Sequence, residues 1–66
     1  MNILFFKEFI GEFIIYEDFP SHLRNWKIVE VDDKHISLQS SNHFLKFSQR
    51  DELELNILKD KLINKI

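Results

Sequence analysis

The sequence predicts a small, mainly β domain of the α+β class, with four or five short strands in a bent antiparallel meander or barrel and a C-terminal helix. Three observations support this prediction. Short runs of β-forming residues recur between residues 12 and 47, with turn-forming residues between them. The last segment has apolar residues at helical spacing. The chain has 66 residues, which is enough for one domain with a core, residues 1–66. It has no Cys, so no disulfide supports that domain.

The first element is either a short helix or a strand. Apolar residues recur at helical spacing between Asn2 and Ile10, and Gly11 is typical of a residue that ends a helix. Residues 12–17 contain a run of β-forming side chains that is too short for a helix. This run predicts a strand that is buried on both faces.

A loop is predicted from Asp18 to Asn25, because Pro20 cannot donate a hydrogen bond to a β-ladder. Two strands, residues 26–31 and 35–40, follow it and are separated by an acidic turn. The second strand alternates cleanly, with Ile36 and Leu38 on one face. The sequence therefore predicts a β-hairpin, and a turn at 40–42 leads into a further strand at 43–47.

The segment from residue 49 to residue 65 fits either a strand or a helix, and we favour a helix. Ser48 followed by Asp51 or Glu52 is a capping signature, and the charges change from acidic to basic along the segment. The residues expected to face the sheet are Leu53, Ile57, Leu58 and Leu62. The apolar residues then left over for self-association are Leu55, Ile63 and Ile66.

Two stretches, residues 5–16 and residues 29–38, carry a resemblance to a known family. Residues 5–16 resemble the N-terminal helix, glycine and first strand of the Sm-like family of small, SH3-like β-barrels, and residues 29–38 are similar to the hairpin that carries its first motif. The family's Arg-Gly pair has no counterpart in residues 47–50. The resemblance implies a barrel fold and an RNA-binding ring subunit.

Composition argues against catalysis and against a metal or cofactor. His22, His35 and His43 do not have the spacing of metal ligands, and the single Gly leaves no phosphate-binding loop. None of the Ser residues lies in a nucleophile elbow. We therefore expect no enzyme activity, no cofactor and no metal.

The net charge of −2 makes nucleic acid an unfavoured partner, since affinity for phosphate backbones comes from Lys and Arg. No apolar run is long enough for a membrane span, and Cys is absent, so we expect a cytoplasmic protein without a membrane partner.

The 18–25 loop and two acidic pairs are the candidate contacts for another protein. Aromatic residues and Arg are frequent in interface hot spots, and acidic surfaces steer association. In the alternative interpretation, Phe19 and Trp26 close the core and the acidic residues merely form turns. The predicted partner-binding residues are Glu17, Asp18, Phe19, Arg24, Trp26, Asp32 and Asp33.

The sequence thus predicts a small, acidic, non-enzymatic regulatory or inhibitory protein, of the phage-type or accessory kind, that acts by binding a partner protein. A homo-oligomer is compatible with the small size of the core. The alternative function is the RNA-binding ring subunit that the Sm-like resemblance implies.

Overall fold

A computed structural model describes residues 2–64. Within this range, no helix is long and apolar enough to cross a membrane. The elements, in chain order, are an N-terminal 3-10 helix (Ile3–Phe9), β1 (Phe13–Ile15), a short 3-10 turn (Ser21–Leu23), β2 (Asn25–Val31), β3 (His35–Ser40), β4 (His43–Ser48) and α1 (Glu52–Ile63).

The strands form one four-stranded antiparallel sheet in the order β1-β2-β3-β4. β1 and β4 lie at opposite edges and do not pair with each other, so the sheet is open. The prediction of a mainly β fold with a C-terminal helix is confirmed. Of the two arrangements predicted for the strands, the structure has the meander and not the closed barrel.

The core lies between one face of the sheet and the two helices. The N-terminal helix buries Ile3 and Phe6 against β2 and β3, and α1 packs against β1 and the N-terminal helix. The fully buried residues of this cluster are Ile3, Phe6, Ile14, Ile28, Ile36, Leu38, Leu55, Leu58 and Leu62. No disulfide supports the fold, so burial of these side chains, worth roughly 1.5–3 kcal/mol each, supplies most of its stability.

The N-terminal segment is a helix, which decides between the two alternatives that the sequence left open. The side chain of Asn2 caps it by accepting a hydrogen bond from the main-chain N–H of Leu4 at 3.0 Å. Gly11 then turns the chain into β1 with φ of +97°, a conformation that residues with a side chain rarely adopt. The single glycine is therefore explained by backbone conformation at the end of this helix.

β1 differs from its prediction, because it is not buried on both faces. Ile14 is buried, but Phe13 and Ile15 are each 51% exposed. β1 pairs only with β2 and has no layer packed over its outer face, so the alternate side chains of this edge strand face solvent.

The two central strands and their turns agree closely with the predicted hairpin. β3 has the predicted bounds, and Ile36 and Leu38 are buried on one face. β2 starts one residue earlier than predicted, at Asn25, and its register with β3 shifts between Ile28 and Glu30. The predicted loop before β2 contains a short 3-10 turn.

The C-terminal segment is the predicted helix, and two of the four residues expected to face the sheet, Leu58 and Leu62, are buried. Leu55, Leu58 and Leu62 are buried, whereas Leu53 is 70% exposed and Ile57 is 42% exposed. Both sets of residues have helical spacing, and Leu55 takes the buried position because α1 packs against β1 and the N-terminal helix. The prediction that Leu55 is left over for self-association is wrong, and Ile66 lies outside the described residues.

The start of α1 also differs from the predicted cap. Asp51, not Ser48, is the N-cap residue, and it makes no side-chain hydrogen bond to the helix. Its carboxylate instead accepts from the main-chain N–H of Ser48 at 2.8 Å and from the Ser48 hydroxyl at 3.4 Å. The acidic residue therefore closes the turn between β4 and α1.

Candidate functional site

An aromatic cluster lies at the end of the sheet where β1 connects to β2. The rings of Tyr16 and Phe19 stack at 5.7 Å between centroids, and Phe19 meets Trp26 edge to face at 5.9 Å. We call residues 16–24 the aromatic loop, since two of these rings come from it. The contacts hold the loop against the core.

Trp26 belongs to the core, which is one of the two alternatives that the sequence left open for this residue. It is only 3% exposed, and its indole N–H donates to the main-chain oxygen of Leu23 at 2.7 Å. A partner protein therefore cannot reach its ring in this conformation. Phe19 is half-buried and keeps part of its ring accessible.

Arg24 is exposed and stabilises the aromatic loop from outside. Its Nε donates to the main-chain oxygen of Phe19 at 2.8 Å, which ties the two ends of the 3-10 turn together. The main-chain N–H of Tyr16 also donates to the main-chain oxygen of Arg24 at 2.8 Å. The loop is thus held in one shape by hydrogen bonds that are local in sequence.

An apolar groove opens between the aromatic loop, β4 and α1. Its volume is about 260 Å³, and its lining residues, which define the term groove below, are Tyr16, Phe19, Leu45, Phe47, Glu54 and Ile57. Three structural segments that are distant in sequence therefore meet at this site.

The Tyr16 hydroxyl is the distinctive polar group of the groove. Its oxygen is buried, and no described residue forms a hydrogen bond with it. Burial of the side chain, and secondarily the Glu54 carboxylate, raise the pKa of Tyr16 to about 12. The hydroxyl therefore keeps its proton at neutral pH, and that proton has no acceptor among the described residues.

Lys61 lies behind Tyr16 on the side of β1. Its Nζ is 5.3 Å from the centre of the Tyr16 ring and donates to the main-chain oxygen of Ile15 at 2.9 Å. This ammonium group holds α1 against the end of β1 and supports one wall of the groove.

The two acidic pairs lie at opposite ends of the sheet. Glu17 and Asp18 follow β1 and are exposed near the start of β2, while Asp32 and Asp33 follow the other end of β2. A strand of this length spans about 20 Å, so the two pairs do not form one continuous acidic edge. Only Glu17 and Asp18 belong to the aromatic loop.

Asp32 has a structural role in the turn between β2 and β3. Its carboxylate accepts from the main-chain N–H groups of Lys34 at 2.8 Å and His35 at 2.7 Å. These two hydrogen bonds lower the pKa of the Asp32 carboxyl below its ordinary value. The alternative interpretation, in which this acidic residue forms a turn, thus accounts for Asp32, whereas Asp33 has an exposed side chain.

A second, polar recess lies beside that turn. Its volume is about 490 Å³, and its walls include Lys34, His35, Gln49 and Arg50. The amide of Gln49 donates to the main-chain oxygen of Asp33 at 3.3 Å and joins the two turns that flank the recess. Among residues 2–64, no group of three His, Cys, Asp or Glu side chains could hold a metal ion.

Sequence reasoning missed the contribution of β4 and α1 to the groove. Leu45 and Phe47 alternate along β4 and therefore share a face, which is the signal that could have marked them. Ile57 was expected to be covered by the sheet, and Glu54 carried no signal of its own.

No protein-family model matches this chain, and neither does any curated protein or any solved structure. The function must therefore be inferred from the residues of this chain.

Proposed function

We propose that this protein is a small, non-enzymatic regulatory or inhibitory module that binds a partner protein in the cytoplasm. The observation that supports this proposal is the groove, in which apolar and aromatic walls surround a buried, unpaired hydroxyl group. The aromatic loop forms one wall, so the contact includes the predicted residue Phe19.

The size of the groove favours a side chain of another protein over a free metabolite. Sites for small ligands usually measure about 300–1,000 Å³ and enclose most of the ligand. The groove has a volume of about 260 Å³ and is open to solvent along one side. An apolar side chain from a partner fits these properties, and its burial is worth roughly 1.5–3 kcal/mol.

The Tyr16 hydroxyl specifies what must accompany that side chain. Because no described residue accepts a hydrogen bond from it, a partner oxygen would supply the missing acceptor, and since the hydroxyl is buried the groove must open for that oxygen to reach it. A main-chain carbonyl next to the inserted side chain has the required chemistry. The expected ligand is therefore an apolar residue presented together with its own backbone.

Acidic residues around the groove favour a partner with a basic surface. Glu17 and Asp18 are exposed residues of the aromatic loop, and Glu54 lines the groove itself. Such charges mainly increase the rate of association. Asp32 and Asp33, about 20 Å away along β2, are expected to act only through this longer-range attraction.

A matched pair of substitutions in α1 tests the proposal. Ile57→Lys places a charge in the groove, and Ile63→Lys makes the same change outside it on the same helix. The two side chains have similar exposure, 42% and 48%, so the expected effects on folding are similar. The binding partner is first identified by cross-linking in extracts of the source cells.

The affinity of the purified partner is then measured for the wild-type protein and both variants by calorimetry. We expect Ile57→Lys to weaken binding at least tenfold and Ile63→Lys to leave it within twofold. Equal affinities for the two variants would exclude the groove as the contact. Phe19→Ala is expected to weaken binding as well, with Trp26 fluorescence reporting whether the variant is folded.

A further inference from the structure

The two edges of the sheet differ in how well the rest of the chain covers them. β1 is three residues long, α1 packs against it, and Lys61 donates to the main-chain oxygen of Ile15. β4 is six residues long and pairs with β3 at all six positions without a register shift. Long, regular edges pair readily with another strand. Among the described strands, β4 is the one that presents such an edge.

The main-chain groups of Phe44 and Lys46 point away from the sheet. The N–H of Ser48 donates to the Asp51 carboxylate and not to β3. His35 lies opposite Ser48, and its main-chain oxygen points towards β2, where it accepts a hydrogen bond. Because N–H and C=O groups point alternately to the two sides of an antiparallel strand, those of the alternate residues Lys46 and Phe44 share the outward direction.

We propose that β4 pairs antiparallel with β4 of a second copy of this chain, with Leu45 opposite Leu45 of the second copy. This register places Phe44 opposite Lys46 of the second copy, and both residues have outward-pointing main-chain groups. Each such pair can exchange two hydrogen bonds. The arrangement has two-fold symmetry, so it closes as a dimer and leaves neither β4 edge free.

The side chains favour this register over its neighbour. Phe44, which is 65% exposed, would lie beside the ammonium group of Lys46 of the second copy. Lys27 already makes the same kind of contact with Phe13, at 5.9 Å from the ring centre. A two-fold axis at Lys46 would instead place Lys46 opposite Lys46 of the second copy. The two ammonium groups would then repel each other, which is unfavourable.

The inner face of β4 adds apolar contact to the main-chain pairing. Leu45 and Phe47 are only half-buried, although they face the core side of the sheet. In the proposed register Leu45 packs against Leu45 of the second copy, which extends this apolar face from one sheet to the other. The dimer therefore covers part of the β4 wall of the groove, since Leu45 lines the groove as well as the proposed dimer contact.

Proline at position 46 provides the decisive variant. Because the N–H of Lys46 points outward, Lys46→Pro removes no hydrogen bond between β3 and β4, and edge strands tolerate proline at such positions. Lys46→Ala is the matched control, since it removes the charge but keeps the N–H group. Neither variant alters a residue that lines the groove, so failure of this proposal is distinguishable from failure of the proposed function.

Light scattering after size-exclusion chromatography measures the mass over a concentration series. We expect the wild-type mass to rise from 8.0 kDa to twice that value, Lys46→Ala to dimerise, and Lys46→Pro to stay monomeric. Circular dichroism verifies that Lys46→Pro is folded. A wild-type protein that is monomeric at every concentration, or a dimer that survives Lys46→Pro in folded form, would overturn the proposal.

Hydrogen exchange of the wild-type protein gives a second measurement that does not depend on a variant. The amides of Phe44 and Lys46 should exchange at least tenfold more slowly at high concentration than at low concentration. An exchange rate that does not change with concentration at these two amides contradicts the β4 pairing. A particle the size of a ring would also contradict it and would support the RNA-binding subunit implied by the Sm-like resemblance.

Discussion

Tyr16→Phe separates the contribution of the groove to stability from its contribution to binding. The substitution removes one oxygen atom and leaves the ring, with its stacking on Phe19, in place. A buried polar group without a partner costs about 1–3 kcal/mol of stability. Because the ring is half-buried, we use the lower end of this range and expect the free energy of unfolding to rise by about 1 kcal/mol.

A change of this size is measurable in a domain of 66 residues. It corresponds to an increase in Tm of about 4–8 °C. Thermal and urea unfolding can be followed by the fluorescence of Trp26, which is the only tryptophan and is buried in the core. Affinity for the partner should change in the opposite direction, because the variant cannot donate the proposed hydrogen bond.

Alkaline pH provides an independent measurement on the same group. The pKa of Tyr16 is about 12 in the folded chain, above the ordinary tyrosine value of 10.0, so the unfolded chain loses this proton first. Stability should therefore be complete below about pH 10 and fall as the pH rises towards 12. Absorbance at alkaline pH reports this tyrosine alone, since the chain has no other.

A loss of stability in Tyr16→Phe would refute this reasoning. It would mean that the hydroxyl has a hydrogen-bond partner in solution, and the groove would then offer no unused donor. An unchanged stability together with an unchanged affinity would likewise remove the hydroxyl from the proposed contact, while the test with Ile57→Lys would still decide the role of the groove.

Two further predictions concern folding. The main-chain hydrogen bonds of Asp32 lower the pKa of its carboxyl in the folded chain. The ionised carboxyl therefore stabilises the fold fully above about pH 4, the ordinary pKa of an Asp in the unfolded chain, and this stabilisation is lost as the pH falls through the lower, folded pKa. Asp32→Asn should therefore have a shallower dependence of unfolding free energy on pH in acid; identical slopes would contradict this. Leu58→Ala empties a fully buried position and should cost about 2–5 kcal/mol, whereas Leu53→Ala, at a position 70% exposed on the same helix, should stay within about 0.5 kcal/mol in urea unfolding. Similar losses in both variants would show that the buried face of α1 is assigned wrongly.

The accuracy of the sequence-based predictions followed the length and regularity of each pattern. β3 was predicted with its bounds and its buried face, because Ile36 and Leu38 alternate with polar residues through the strand. β1 was predicted as a strand, but its burial was wrong. Three residues cannot show whether a strand lies at the centre or the edge of a sheet.

The helix α1 illustrates a second limit. Its apolar residues satisfy helical spacing on two overlapping faces that share Leu58 and Leu62, the predicted one with Leu53 and Ile57 and the observed one with Leu55. Local periodicity is equal for both faces. The packing of α1 against β1 and the N-terminal helix buries the second face and leaves Ile57 in the wall of the groove.

The sequence by itself determined the class of fold, the order of most elements and the aromatic loop, because these depend on residues close together in the chain. Only the tertiary structure decided that Trp26 is buried, that the acidic pairs are separated and that the sheet stays open. The groove belongs to the second group as well. Its walls come from the aromatic loop, β4 and α1, and their meeting depends on packing between distant segments, which no local pattern encodes.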